Sequence, residues 1–249
     1  MKKTIIINDC LIQYHSYPSK GSKTILFLHG WRSDGSIWND IAMKINKDNY
    51  SVYALDLPGF GGSSAPKTPF TISDYADIVS GFMEKMKIKK TILVGHSFGG
   101  RIAIKLASAK PELVSKLVLV DSAGFVNMKK QGYQLYAKLV KPLFKPKWMQ
   151  RIRTWIYKKM GAEDYVSTPY LRETFLNVIK EDVTSDLSNI RIPSLLLWGD
   201  KDMDTPVSYG KKMHVKIRNS QLVVLQDAGH FCFLDKPTEF YQALIRFIT

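Results

Sequence analysis

Six strand-length apolar runs recur along the chain: KTILFLHG (23–30), SVYALDLPG (51–59), KTILVGHS (90–97), KLVLVDSAG (116–124), PSLLLWGDKD (193–202) and QLVVLQDAGH (221–230). Their apolar residues are consecutive, where a strand with one wet face would alternate. Consecutive apolar residues mark strands buried on both faces, the condition of a parallel sheet. Amphipathic stretches of helical period lie between most of them, at Ser36–Ile45, Ser73–Met86, Phe98–Ala109, Val207–Val215 and Thr238–Ile248. Parallel strands need such crossovers, because a tight turn can join only antiparallel neighbours. The predicted fold is therefore α/β, a doubly wound and mostly parallel sheet. Thr4–Ile7 and Leu11–Tyr17 predict an antiparallel hairpin at one edge.

One interval breaks the alternation. Residues 125–190 hold no strand run, and Trp148, Ile152, Trp155 and Ile156 fall on one face of a predicted helix. This predicts a core domain of residues 1–124 and 191–249, with a helical cap, 125–190, inserted after the sixth strand. Ligands of open α/β sheets bind beyond the carboxyl ends of the strands, where a cap would close over them.

No apolar run approaches the roughly 18 residues that span a bilayer. In MKKTIIINDC, Asn8 and Asp9 end the first run too early for a signal peptide, so a cytoplasmic protein is expected. Cys10 and Cys232 form no CxxC, and the histidines form no HExxH; no metal and no cofactor are expected. The net charge is +14, and ten Lys or Arg but no acid lie between Ser122 and Ala162. The preferred reading is a solvated basic surface. Attraction to anionic lipid or an acidic substrate is the sharper alternative, since Arg151, Arg153, Lys158 and Lys159 share a predicted helix with Trp148 and Trp155. No nucleic-acid module accompanies the charge, so nucleic acid is not expected as a partner. A monomer or homodimer acting on a small molecule is expected.

The third run ends in GHSFGG (95–100), and a helix follows at once. Gly-x-Ser-x-Gly at a strand-to-helix junction is the pattern of a nucleophile elbow. Its turn predicts an unusual φ/ψ at Ser97, with Gly95 and Gly99 demanded by close backbone approach. A serine nucleophile needs a base, and His230 in DAGHF follows the last strand run. The base needs an orienting carboxylate, and Asp202 follows the fifth run in WGDKD. Asp200, Asp204 and Asp121 compete with it for that role. Asp56 and His29 read as structural, the first fixing the turn after its strand and the second shaping the loop that begins at Gly30.

The chain order Ser97, Asp202, His230, with HGW (29–31), DLPGFGGS (56–63), GHSFGG, WGDKD and AGH (228–230), resembles the α/β-hydrolase superfamily over nearly the full length, in its small, lidded form. The resemblance implies Ser97 as nucleophile, His230 as base, Asp202 as acid, and the backbone N–H groups of Trp31 and Phe98 as the oxyanion hole. Haloalkane dehalogenases and epoxide hydrolases of this fold carry aspartate at the elbow, so the serine points away from them. The expected reaction is hydrolysis of an ester-like bond by a serine carboxylesterase. Trp31, Phe98, Phe125, Tyr133, Tyr136, Trp155 and Phe231 are the expected substrate contacts. Arg101 is expected to pair with a carboxylate. It also keeps open a pyruvate-eliminating lyase resembling the menaquinone-pathway synthase, beside carbon–carbon bond hydrolases and non-catalytic receptors of the same fold.

Overall fold

Asn8 and Asp9 both hold positive φ, 45° and 62°, and close a two-residue turn between β1 (Lys2–Ile7) and β2 (Cys10–Tyr17). Asn and Asp tolerate this region better than other L-residues, so the turn and its antiparallel register, Ile7 opposite Cys10, follow from the sequence. The remaining strands are β3 (Thr24–Leu28), β4 (Ser51–Leu55), β5 (Thr91–His96), β6 (Val114–Val120), β7 (Ser194–Gly199) and β8 (Ser220–Leu225). The computed structural model describes residues 1–21, 23–125 and 167–249. Among them one eight-stranded sheet runs β1-β2-β4-β3-β5-β6-β7-β8. The strand β2 pairs antiparallel with both β1 and β4, and every pair from β4 to β8 is parallel.

Helices cover both faces. On one lie α2 (Ile72–Lys85), α3 (Phe98–Ala109) and, beyond β7, α6 (Val207–Lys216), packed through Tyr75, Phe82, Ile102, Leu106 and Met213. On the other lie α1 (Asn39–Lys47) and α8 (Pro237–Ile248), packed through Trp38, Ile41, Ile45, Phe240, Leu244 and Ile248. The four-residue spacing of Phe240, Leu244 and Ile248 lays them along one stripe, and each such side chain withdrawn from water contributes about 1.5–3 kcal/mol. Thr71 and Asp74 form a reciprocal capping box that starts α2.

Strands β5 and β7 are buried at every position, as their unbroken apolar runs predict. The edge strand β8 is not: Gln221 is exposed and its neighbours are half-buried, because β7 covers only one side. Between β6 and β7 the described residues, 167–190, hold a helical turn at Pro169–Leu171, α4 (Arg172–Lys180) and α5 (Thr184–Leu187), and no strand. The short α7 (Cys232–Asp235) is not evident in the sequence pattern. Tyr133, Tyr136, Trp155, the predicted Trp148–Ile156 helical face and most of the basic run lie outside the described residues.

The spatial order reverses at β3, which lies between β4 and β5. The carboxyl ends of β3 and β5 carry Trp31 and Ser97, so the topology alone brings these two segments together.

Candidate active site

Ser97 stands at φ 50°, ψ −111°, a conformation L-residues adopt rarely and at a cost of about 1–3 kcal/mol. The surrounding backbone enforces it: Ser97 N donates to Val120 O at 3.0 Å, and its own carbonyl accepts from Gly100 N and Ala123 N at 3.0 Å each. A Cβ on Gly95 would meet the Gly99 carbonyl oxygen at 2.4 Å; one on Gly99 would meet the Leu28 and His29 oxygens at 2.6 and 2.7 Å. Side chains are excluded at both places, as the sequence pattern requires. A serine preceding a helix ordinarily caps it, yet Ser97 makes no side-chain cap to α3. Its Oγ instead faces His230 Nε2 at 3.0 Å. Of the first N–H groups of α3, Gly99 N donates to His29 O at 3.1 Å and Gly100 N to Ser97 O at 3.0 Å, while Phe98 N stands at the positive end of the helix beside the serine.

His230 Nδ1 lies 2.9 Å from Asp202 Oδ2. This contact assigns the proton to Nδ1 and leaves Nε2 to accept from the Ser97 hydroxyl. Burial works to lower the His230 pKa, but the hydrogen bond and charge of Asp202 outweigh it and raise it above the ordinary imidazole value. Burial likewise works to raise Asp202, yet its bonds to His230 and Thr205 bring it below the ordinary carboxylate value. Asp202 is buried, and its carboxylate accepts from Asp204 N, Thr205 N and the Thr205 hydroxyl at 2.8, 2.9 and 2.7 Å.

The loop after β3 closes over the serine. A Cβ on Gly30 would meet Ser97 Cβ at 3.3 Å, and the rings of Trp31 and Phe98 stand 5.1 Å apart. His29 shapes this loop as expected: Nδ1 bonds Gly30 O at 2.7 Å, and Nε2 accepts from Leu57 N at 2.9 Å. Asp56 also takes its expected role, accepting from Gly35 N, Gln13 Nε2 and Gly62 N. Burial pushes His96 down to about 3, so it is neutral, and its Nε2–H donates to the His230 carbonyl at 2.8 Å.

The sequence model of the alpha/beta hydrolase family matches residues 25–243. The chain is an alpha/beta hydrolase. It is 29% identical to the uncharacterised hydrolase YugF of Bacillus subtilis (strain 168) over 95% of this chain and 94% of that protein. It is 23% identical to a 2-hydroxy-6-oxononadienedioate/2-hydroxy-6-oxononatrienedioate hydrolase of a Pseudomonas species, over 92% of this chain and 88% of that one. Among solved structures, a bacterial membrane phospholipase A matches with a TM-score of 0.81 at 26% identity, covering 100% of this chain and 85% of that chain. In this hydrolase no described helix is long and apolar enough to cross a membrane.

Of the carboxylates that compete with Asp202, Asp204 keeps an oxygen within 4.8 Å of His230, and Asp200 and Asp121 take other partners. Asp200 accepts from Ala228 N at 3.2 Å and braces the turn, and Asp204 is exposed. Asp121 is fully buried and accepts from Gly199 N and Cys232 N, tying together the loops that carry Asp202 and His230. Burial pushes its carboxyl up to about 7.

Phe231 is 41% exposed, with its ring 5.5 Å from that of His230. Phe125 packs against α6, its ring 5.1 Å from Tyr209 and beneath Lys212. Arg101 corrects its expected pairing: the guanidinium bonds the main-chain carbonyls of Val178, Glu181 and Phe125 rather than a carboxylate, and the residue is 6% exposed.

Thr205, Phe60 and Phe175 are site neighbours that the sequence reading did not name. Thr205 carried a usable signal, because an aspartate bonding backbone N–H groups two and three residues ahead is a common turn. Phe60 and Phe175 meet Trp31 at 4.9 and 5.1 Å across long sequence gaps, and no local pattern announces such contacts. Two clusters of the described residues have metal-ligand chemistry with ligand atoms within 4.8 Å: His15, Asp34 and Asp56, and Asp202, Asp204 and His230. Asp56 already receives three N–H donors, and Asp202 is bonded to His230.

Proposed function

We propose that this hydrolase cleaves an ester-like bond (carboxylic ester, lactone or thioester) of a small to medium, partly apolar substrate through an acyl-serine. The observation that carries the reading is the unbroken line from Ser97 Oγ to His230 Nε2, 3.0 Å, and from His230 Nδ1 to Asp202 Oδ2, 2.9 Å, built on a serine forced into strained backbone.

His230 removes the Ser97 proton as Oγ attacks the carbonyl carbon. The N–H groups of Phe98 and Trp31 bond the oxyanion, and each such donor in related chemistry is worth about 10²–10³ in rate. His230, now cationic and held by Asp202, passes the proton to the leaving group. Water, deprotonated by the same imidazole, then releases the acyl group. Trp31, Phe98 and Phe231 are the residues assigned to the acyl or alcohol part of the substrate. Arg101 is committed to carbonyls, which removes the cation a pyruvate-eliminating lyase would need at that place. Carbon–carbon bond cleavage is the second reading, favoured by the likeness to the Pseudomonas hydrolase.

The test is a p-nitrophenyl ester series, acetate to laurate, on wild type and Ser97→Ala. Turnover by wild type that vanishes in the variant supports the reading. Wild-type inertness to every ester refutes it in favour of the carbon–carbon bond hydrolase.

A further inference from the structure

Arg101 lies on α3, four residues beyond Ser97, and is almost wholly buried. Burying a guanidinium is costly unless its donors are met, and burial does lower its pKa. Its terminal nitrogens are met by the C-terminal end of α4 and by the Phe125 carbonyl. One terminal nitrogen bonds Val178 O and Glu181 O at 2.7 Å each, and the other bonds Phe125 O at 3.0 Å. Val178 is in the last turn of α4 and Glu181 follows its end. Carbonyls in this position have no partner inside a helix, and the helix dipole places negative charge there. A buried cation from the neighbouring helix satisfies both needs.

The same helix turns toward the oxyanion loop. Phe175 of α4 lays its ring 5.1 Å from that of Trp31, which also meets Phe60 and Phe98. Thr174 and Asn177 of α4 hold both backbone groups of Phe70, at 3.1 and 3.4 Å. A continuous line of contacts therefore leads from the serine's own helix, through Arg101 and α4, to Trp31.

We propose that Arg101 is a positioning residue: it fixes α4 against α3, and α4, through Phe175, fixes Trp31 in the oxyanion loop. Arg101 makes none of the hydrogen bonds that link Ser97, His230 and Asp202. The last link rests on the reading of Trp31 as an oxyanion donor.

Arg101→Met keeps the bulk and removes the donors. Hydrogen exchange and p-nitrophenyl butyrate kinetics on the full chain read the two links separately. Amides of residues 172–181 should exchange about tenfold faster while those of 239–248 are unchanged. The kcat should fall about tenfold with KM moved less than about threefold, and Arg101→Lys should restore part of both. Unchanged exchange in α4, or a loosened α4 with wild-type kcat, overturns the proposal. Should Arg101→Met fail to fold, Phe175→Leu decides the second link: it lowers kcat with α4 exchange intact, and wild-type kcat there refutes the link. A wild type inert to esters and to a fluorophosphonate overturns the hydrolase reading and the Trp31 link with it, and the exchange experiment still decides the clasp.

Discussion

The hydroxyl of Thr205 lies 2.7 Å from Asp202 Oδ2, the same oxygen that faces His230 Nδ1 at 2.9 Å. Two donors thus converge on one carboxylate oxygen, while Asp204 N and Thr205 N hold the other. Thr205→Val keeps the branched shape and the backbone bond but removes the hydroxyl. A hydrogen bond to a buried charge contributes about 1.5–3 kcal/mol to stability, so Tm should fall by several degrees, and kcat/KM of the folded enzyme for p-nitrophenyl acetate should fall about tenfold as Asp202 loosens. Wild-type kcat/KM in this variant would show that the three remaining contacts suffice to orient Asp202.

Activity requires neutral His230, and Asp202 raises its pKa. The rate should therefore climb with pH through that raised value, placing the acid limb of kcat/KM above about 6.5, the ordinary imidazole pKa. Asp202→Asn removes the largest raising causes, and burial, which lowers, is then opposed only by the weaker charges of Asp204 and Asp121. The limb should move to lower pH, and the plateau should drop by about 10³–10⁴ as the imidazole loses its tautomer. A limb at the wild-type position would mean that another group titrates.

Gly99→Ala tests the packing beneath the elbow. The new Cβ would press on the carbonyl oxygens of Leu28 and His29 at 2.6 and 2.7 Å, and both are backbone of β3 and its loop. Overpacking of this kind costs about 1–3 kcal/mol, which in a chain of this size lowers Tm by several degrees. It should also shift Gly30 and Trp31 relative to Ser97, so fluorophosphonate labelling of the folded fraction should slow. Labelling at the wild-type rate would contradict the tight coupling of the two loops.

Asp121 links stability to pH. Its folded carboxyl titrates at about 7, mainly because it is buried, and Asp202 adds repulsion while bonds from Cys232 and Gly199 oppose it. An unfolded aspartate titrates near about 3.9, so the folded chain binds the extra proton between these values. Its contribution to stability is present below the unfolded value and is lost as pH rises through 7. The Tm advantage of wild type over Asp121→Asn should be larger at pH 5 than at pH 8. An advantage that grows with pH would reverse the assignment.

Local information carried much of this fold. Continuous apolar runs placed β3 to β8, helical periodicity placed α1, α2, α3, α6 and α8, and the runs Thr4–Ile7 and Leu11–Tyr17 placed the edge hairpin, because period is a property of neighbouring residues. The glycines around Ser97 carried the elbow for the same reason. The apolar runs overstated β8, since burial depends on how many strands flank it and not on its own residues. What only the tertiary structure decided is which distant groups meet. Ser97 and His230, 133 residues apart, come within 3.0 Å because β5 and the loop after β8 share the carboxyl edge of one sheet. The same edge lets Asp121 tie two loops together, Arg101 reach three carbonyls, and Phe175 lie on Trp31. Sequence sets the period of each element. Partners across the sheet are set by strand order and by the burial that forces every polar group there to find another.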